Sequence, residues 1–157
     1  MRGDIVLPAL WGILVAGLGA WLTDISPWYQ GLKRPWFQPP DWLFGPAWTL
    51  ILALASLAAY FAWQNARDNW DGALIVILFC LNGALNVLWS PLFFKLRRPD
   101  WALMEVPFLW LSILALVVVL APISGRASLL MTPYLAWVSF ATVLNLNVVR
   151  LNQPFGT

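Results

Sequence analysis

Histidine is absent from this 157-residue sequence, and cysteine occurs once, at Cys80. An intrachain disulfide, a thiolate cluster and the usual zinc sites are thereby excluded. Charge is scarce as well. Only 10% of residues are Asp, Glu, Lys or Arg, against roughly a quarter in an ordinary soluble domain. In their place stand 61% hydrophobic residues and a mean hydropathy of +0.74. A chain this short has too much surface to do without charge in water, so lipid must cover its outside. The net charge of +2 is too small to point to nucleic acid.

Five apolar runs stand out: Ile5 to Leu22, Phe44 to Trp63, Ala73 to Phe94, Ala102 to Ala121 and Leu129 to Val149. Each approaches the ~20 residues that a helix needs to cross a ~30 Å hydrocarbon core. The expected fold is an all-α, five-helix transmembrane bundle in a single domain over residues 1–157. A cleavable secretory signal fits the first run poorly, because it lacks a basic leader beyond Arg2 and is followed by Trp21 and Asp24. With five crossings, Lys33, Arg34, Lys95, Arg97, Arg98 and Arg150 fall on one side, against Arg2, Arg67 and Arg126 on the other. That bias predicts the N-terminus outside and the C-terminus in the cytoplasm.

Tryptophan is abundant where charge is not, with twelve in the chain. Trp21, Trp28, Trp42, Trp63, Trp70 and Trp101 stand near the ends of runs, where interfacial anchoring explains them. Trp48, Trp89, Trp110 and Trp137 lie inside runs, and a buried indole needs an acceptor or a ligand. In the third run Asn82, Asn86, Trp89, Ser90 and Phe93 share one helical face; its amides must find partners on neighbouring helices or in a cavity. Pro91 withholds an N–H from Val87 and is expected to kink the helix there. In the fifth run Pro133, Trp137, Phe140, Ala141, Leu144 and Asn145 also share a face. Ala141 there leaves a notch one turn from the Trp137 ring, suited to a flat ligand or to a packed helix.

Three further features have structural and functional readings. Glu105, the one carboxylate inside a run, either serves function or reaches the interface to pair with Arg97 or Arg98. Asp41 is expected to cap the second helix. Gly12, Ala16 and Ala20 form a ladder of small residues for close helix approach. Between the first two runs, Pro35, Pro39 and Pro40 stiffen an extended segment from Leu32 to Trp42, a good lid for an apolar ligand.

The stretch "WYQGLKRPWFQPPDWLFGPAWT" resembles the first loop and second helix of the TspO family, the tryptophan-rich sensory proteins whose mitochondrial members are called translocator protein. The likeness continues through "LNVLWSPLFF" and "PYLAWVSFATVLNLNVVRLN", and spans about Pro27 to Asn152. It implies a five-helix bundle, commonly a homodimer, with a pocket beneath the first loop for porphyrins and, in some members, sterols or synthetic drugs. The implied pocket residues are Tyr29, Trp36, Trp48, Asn86, Trp89, Ser90, Trp137, Phe140, Ala141 and Leu144. Trp48 and Trp137 match the tryptophans linked in some bacterial relatives to light-dependent breakdown of protoporphyrin. The sterol-recognition pattern of animal relatives requires a tyrosine where "VLNLNVVR" has Leu146 and Asn147, which lowers the case for sterol.

The leading expectation is therefore a multi-pass membrane protein, in the plasma membrane if bacterial, that binds protoporphyrin IX or haem as a sensor, scavenger or regulator of porphyrin traffic. With no histidine, the protein would grip the ring by its faces and edges rather than by axial ligation. No cofactor or metal is expected. The alternatives are a photochemical porphyrin-degrading enzyme using Trp48 and Trp137, and a transporter or accessory protein for apolar ligands.

Overall fold

The computed structural model describes residues 5–155; Arg2, one of the charges used to orient the chain, lies outside them. Helix α1 spans Val6–Leu22, the short α2 Pro27–Gln30, α3 Asp41–Asn65, α4 Asn69–Ser90, α5 Pro99–Leu120 and α6 Gly125–Asn152. Four of these, with α4 prolonged to Lys95, are long and apolar enough to cross a membrane, and α1 is a shorter apolar helix of 17 residues. Together they form a five-helix bundle, and the protein is an integral, multi-pass membrane protein.

Polar chemistry sets the helix ends outside the apolar runs. Helix α4 begins four residues before its run because the Asp68 carboxylate accepts the Asp71 N–H at 2.9 Å, and Asp71 in turn receives the Arg67 guanidinium at 2.8 and 3.1 Å. Ser124 caps α6 through the Ala127 N–H. The kink expected at Pro91 takes the form of a π turn over Pro91–Lys95. Proline leaves the α-helical register one donor short, and the turn closes instead by a bond from Leu96 N–H to the Pro91 carbonyl at 2.9 Å. Phe93 and Phe94, neighbours in sequence, are both buried as a result. Arg97, with φ of 55°, turns the chain into α5.

The bundle places small residues inside and large ones outside. Ala55, Ala58, Ala62, Ala102 and Ala127 are fully buried, whereas Leu7, Ile13, Met104 and Leu129 are 68–75% exposed. Lipid is as apolar as leucine, so close packing of small residues and hydrogen bonds hold such helices together. Gly12 of α1 lies directly on Ser56 of α3, and Gly83 of α4 accepts the edge of Trp11, whose indole donates to the Phe79 carbonyl at 3.0 Å. Asn82 donates to Ser112 at 2.9 Å between α4 and α5. Trp110 donates to Ser139 and Ser128 to the Val117 carbonyl, both between α5 and α6. At the end away from the first loop, Ala62, Leu116, Leu120, Ala127 and Met131 are all fully buried.

Candidate functional site: a cavity beneath the first loop

At the opposite end the helices part around a cavity of about 550 Å³, within the size range of small-molecule sites. Val15, Ala16, Gly19 and Ala20 of α1 form one wall. Trp48 and Leu52 of α3, Asn86, Trp89 and Ser90 of α4, and Val106 and Leu109 of α5 form others. Helix α6 contributes Trp137, Val138, Ala141, Leu144, Asn145 and Val148, and the loop contributes Tyr29, Leu32, Arg34 and Gln38. Aromatic rings set much of the shape. Trp48 meets Trp137 edge-on, with centroids 6.3 Å apart at 85°, and Tyr134 at 5.9 Å. Trp89 stacks on Phe93 at 4.9 Å.

Of the ten candidate residues, Tyr29, Trp48, Asn86, Trp89, Ser90, Trp137, Ala141 and Leu144 line this cavity. Trp36 and Phe140 are not among its lining residues. Trp36 is 94% exposed at the turn of the loop, where its ring meets Phe37 at 5.7 Å. Phe140 lies behind Trp137, with centroids 5.7 Å apart, and bridges that ring to Phe37 at 6.4 Å. Phe140 therefore backs the cavity through Trp137, whereas Trp36 stands outside it, since its partner Phe37 is not a lining residue either.

The internal polar groups divide into satisfied and unsatisfied ones. Asn86 donates to the hydroxyl of the buried Tyr134 at 2.7 Å. Asn145 bridges α6 to the first turn of α5: with its amide turned to suit both groups, it donates to the Pro99 carbonyl at 3.1 Å and accepts from the Leu103 N–H at 3.2 Å. The Trp137 indole N–H is buried and has no partner among the described residues. An unmatched buried donor costs free energy.

Glu105 departs from the expected interfacial pairing. It is only 7% exposed, and neither carboxyl oxygen has a partner among the described residues. Arg98 is engaged by Asp100, its Nε 2.8 Å from Oδ1, and Arg97 lies over the Trp28 ring at 5.9 Å. Asp41 also departs from its expected role. Helix α3 has no side-chain cap at Pro40; Asp41 instead accepts from the Tyr29 hydroxyl at 2.9 Å and from Arg34 at 3.1 Å. Gln38 donates to the Tyr29 oxygen at 3.3 Å, and the Arg34 guanidinium lies 4.6 Å from the Tyr29 ring centre. Burial first, and then the bond to Asp41, push the Tyr29 phenol up to about 12.

Sequence reading missed the α1 wall. Ala16 and Ala20, members of the expected small-residue ladder, line the cavity, and Gly12 packs closely on Ser56 of α3. The available signal was that Ala16, Gly19, Ala20 and Thr23 recur at helical spacing as small side chains.

A polytopic helical bundle with an aromatic, ligand-sized cavity closed by a proline-stiffened loop is the class that this architecture defines. Sequence comparison gives the family. The TspO/MBR family signature matches residues 5–151, and the chain belongs to that family. It is 37% identical over 150 residues to the "Tryptophan-rich protein TspO" of Archaeoglobus fulgidus, covering 94% of this chain and 96% of that one. It is 35% identical over 151 residues to "Protein CrtK" of Rhodobacter capsulatus, covering 95% and 94%. Against the "Translocator protein" of Sus scrofa it is 34% identical over 154 residues, covering 94% and 91%.

Proposed function

We propose that the protein binds a flat, apolar tetrapyrrole such as protoporphyrin IX in the cavity beneath its first loop, and acts as a sensor, scavenger or regulator of porphyrin traffic. The carrying observation is the Ala141 notch beside the edge-on Trp48 and Trp137 rings in a cavity of about 550 Å³. A ring slid into that notch would cover the indole and the Trp48 edge, each Å² of apolar surface removed from water contributing ~25 cal/mol. Arg34 and Gln38 stand at the roof to receive carboxylates, with Asp41 the group that an incoming carboxylate must replace on Arg34. The end carrying Lys33, Arg34, Lys95, Arg97, Arg98 and Arg150 would face the cytoplasm.

The test is a dark titration of the detergent-solubilised protein with protoporphyrin IX, read by tryptophan quenching, with Ala141→Phe and Trp137→Phe in parallel. Saturable micromolar binding that weakens at least tenfold in Ala141→Phe is expected, since a phenyl group that displaces about 60 Å² of ligand contact removes about 1.5 kcal/mol. Non-saturating quenching, equal in all three proteins, would reduce the effect to partition into the micelle and end the proposal.

The edge-on Trp48–Trp137 pair favours one second reading, in which the bound ring is degraded by light and oxygen beside two oxidisable indoles. Turnover should then require both light and oxygen and disappear in Trp48→Phe/Trp137→Phe. Light-driven loss that persists in that double variant would show the indoles to be bystanders.

A further inference from the structure

Beyond the cavity, the last turn of α6 holds the first loop by a contact that no packing argument anticipates. The Asn152 side chain accepts the Lys33 backbone N–H at 2.8 Å and donates to the Lys33 carbonyl at 2.8 Å, across 119 residues of sequence. Its amide also donates to the Val148 carbonyl, one turn back, at 2.8 Å. A primary amide carries an acceptor and a donor side by side, so it pairs with both backbone groups of one residue as an opposed antiparallel strand residue would. Aspartate offers the acceptor without the donor, and alanine offers neither.

Position gives this clamp its meaning. Ala141, Leu144, Asn145 and Val148 line the cavity from α6, and Asn152 continues the same helical stripe, four residues beyond Val148. Lys33 stands between Leu32 and Arg34, both of which line the cavity from the loop side. On either side of Lys33, Tyr29 and Arg34 are fastened to the start of α3 through their bonds to Asp41. The segment around Lys33 is thus tied to both α6 and α3, with Leu32 and Arg34 on either side of Lys33 lining the cavity.

We propose that Asn152 is a positioning residue for the ligand: by holding the Lys33 peptide it fixes the roof formed by Leu32, Arg34 and Gln38, and so sets how long a cavity ligand is retained. This role rests on the tetrapyrrole reading above, whereas the clamp itself does not. Asn152 touches none of the ligand-facing surface, so its removal leaves the cavity walls intact.

The experiment compares wild type, Asn152→Ala and Asn152→Asp in two measurements. Amide hydrogen exchange at Lys33 reads the clamp without any ligand. It should accelerate about tenfold or more in Asn152→Ala, the equivalent of losing hydrogen bonds of ordinary net strength. Stopped-flow dissociation of protoporphyrin IX reads the positioning. It should also accelerate about tenfold in Asn152→Ala and by less in Asn152→Asp, which keeps the acceptor for the Lys33 N–H, while thermal midpoints stay together. Unchanged Lys33 exchange would overturn the clamp whatever the ligand. Faster exchange with unchanged dissociation would overturn the positioning role and leave tetrapyrrole binding standing. Absence of saturable porphyrin binding to wild type would overturn the tetrapyrrole reading and the retention role together, with the exchange result still deciding the clamp.

Discussion

Replacing Gly83 with alanine should loosen the contact between α1 and α4 and with it one wall of the cavity. A Cβ at that position would lie 2.8 Å from Trp11 Nε1 and 3.1 Å from Val15 Cγ2, so one or both must give by several tenths of an ångström. Trp11 has little freedom to do so. Its N–H is held by the Phe79 carbonyl at 3.0 Å, and its ring stands edge-on to Phe79 with centroids 5.3 Å apart. Alanine gains about 1 kcal/mol of helix propensity over glycine. Against this stand about 1–3 kcal/mol for overpacking and about 1 kcal/mol for a broken hydrogen bond. The balance is a net destabilisation of about 1–3 kcal/mol. At about 2–4 °C per kcal/mol for a chain of this size, the thermal midpoint in detergent should fall by roughly 2–12 °C, and porphyrin affinity should fall with it, because Val15 and Ala16 line the cavity. Trp11→Phe removes the atom that the new methyl strikes, so Trp11→Phe/Gly83→Ala should be more stable than the sum of the single variants by about 1 kcal/mol. A more stable Gly83→Ala, or strict additivity in the cycle, would refute the steric argument.

Glu105→Leu should raise stability by about 1–3 kcal/mol, because it removes buried oxygens that have no partner; a lower unfolding midpoint would show that the carboxyl makes an essential interaction. The loop should respond to alkali through Tyr29. Its folded phenol is pushed up to about 12, above the ordinary value of about 10, so its contribution is complete below pH ~10 and is lost as pH rises through about 12. Tyrosinate absorbance compared between wild type and Tyr29→Phe will check this, and a Tyr29 signal that titrates near pH 10 would sink it.

The transmembrane plan was readable because lipid demands long uninterrupted runs, and the two internal faces on the third and fifth runs emerged from helical spacing alone. Pairwise chemistry was not readable. Asn86 finds Tyr134 and Asn82 finds Ser112, and nothing local in the sequence distinguishes either contact from an amide facing a ligand. Asp41 looked like a cap because it precedes a helix, yet a nearby phenol and guanidinium outcompete the helix's own N–H groups for its oxygens. Trp36 sits amid the strongest family signature, but the loop turns there and leaves its ring outward, 94% exposed. Ala16 and Ala20 were legible as small residues but not as cavity lining, because a small residue marks close approach equally well when the visitor is a helix or a ligand.

The cavity lies beneath the loop, and Ala62, Leu116, Leu120, Ala127 and Met131 are packed toward the other end of the bundle. A ligand bound as proposed would occupy that one space. Two compounds that use the site therefore compete strictly, and exchange is as slow as the departure of the one already there. On the proposed reading, the quantity such a site sets is the dwell time of its occupant.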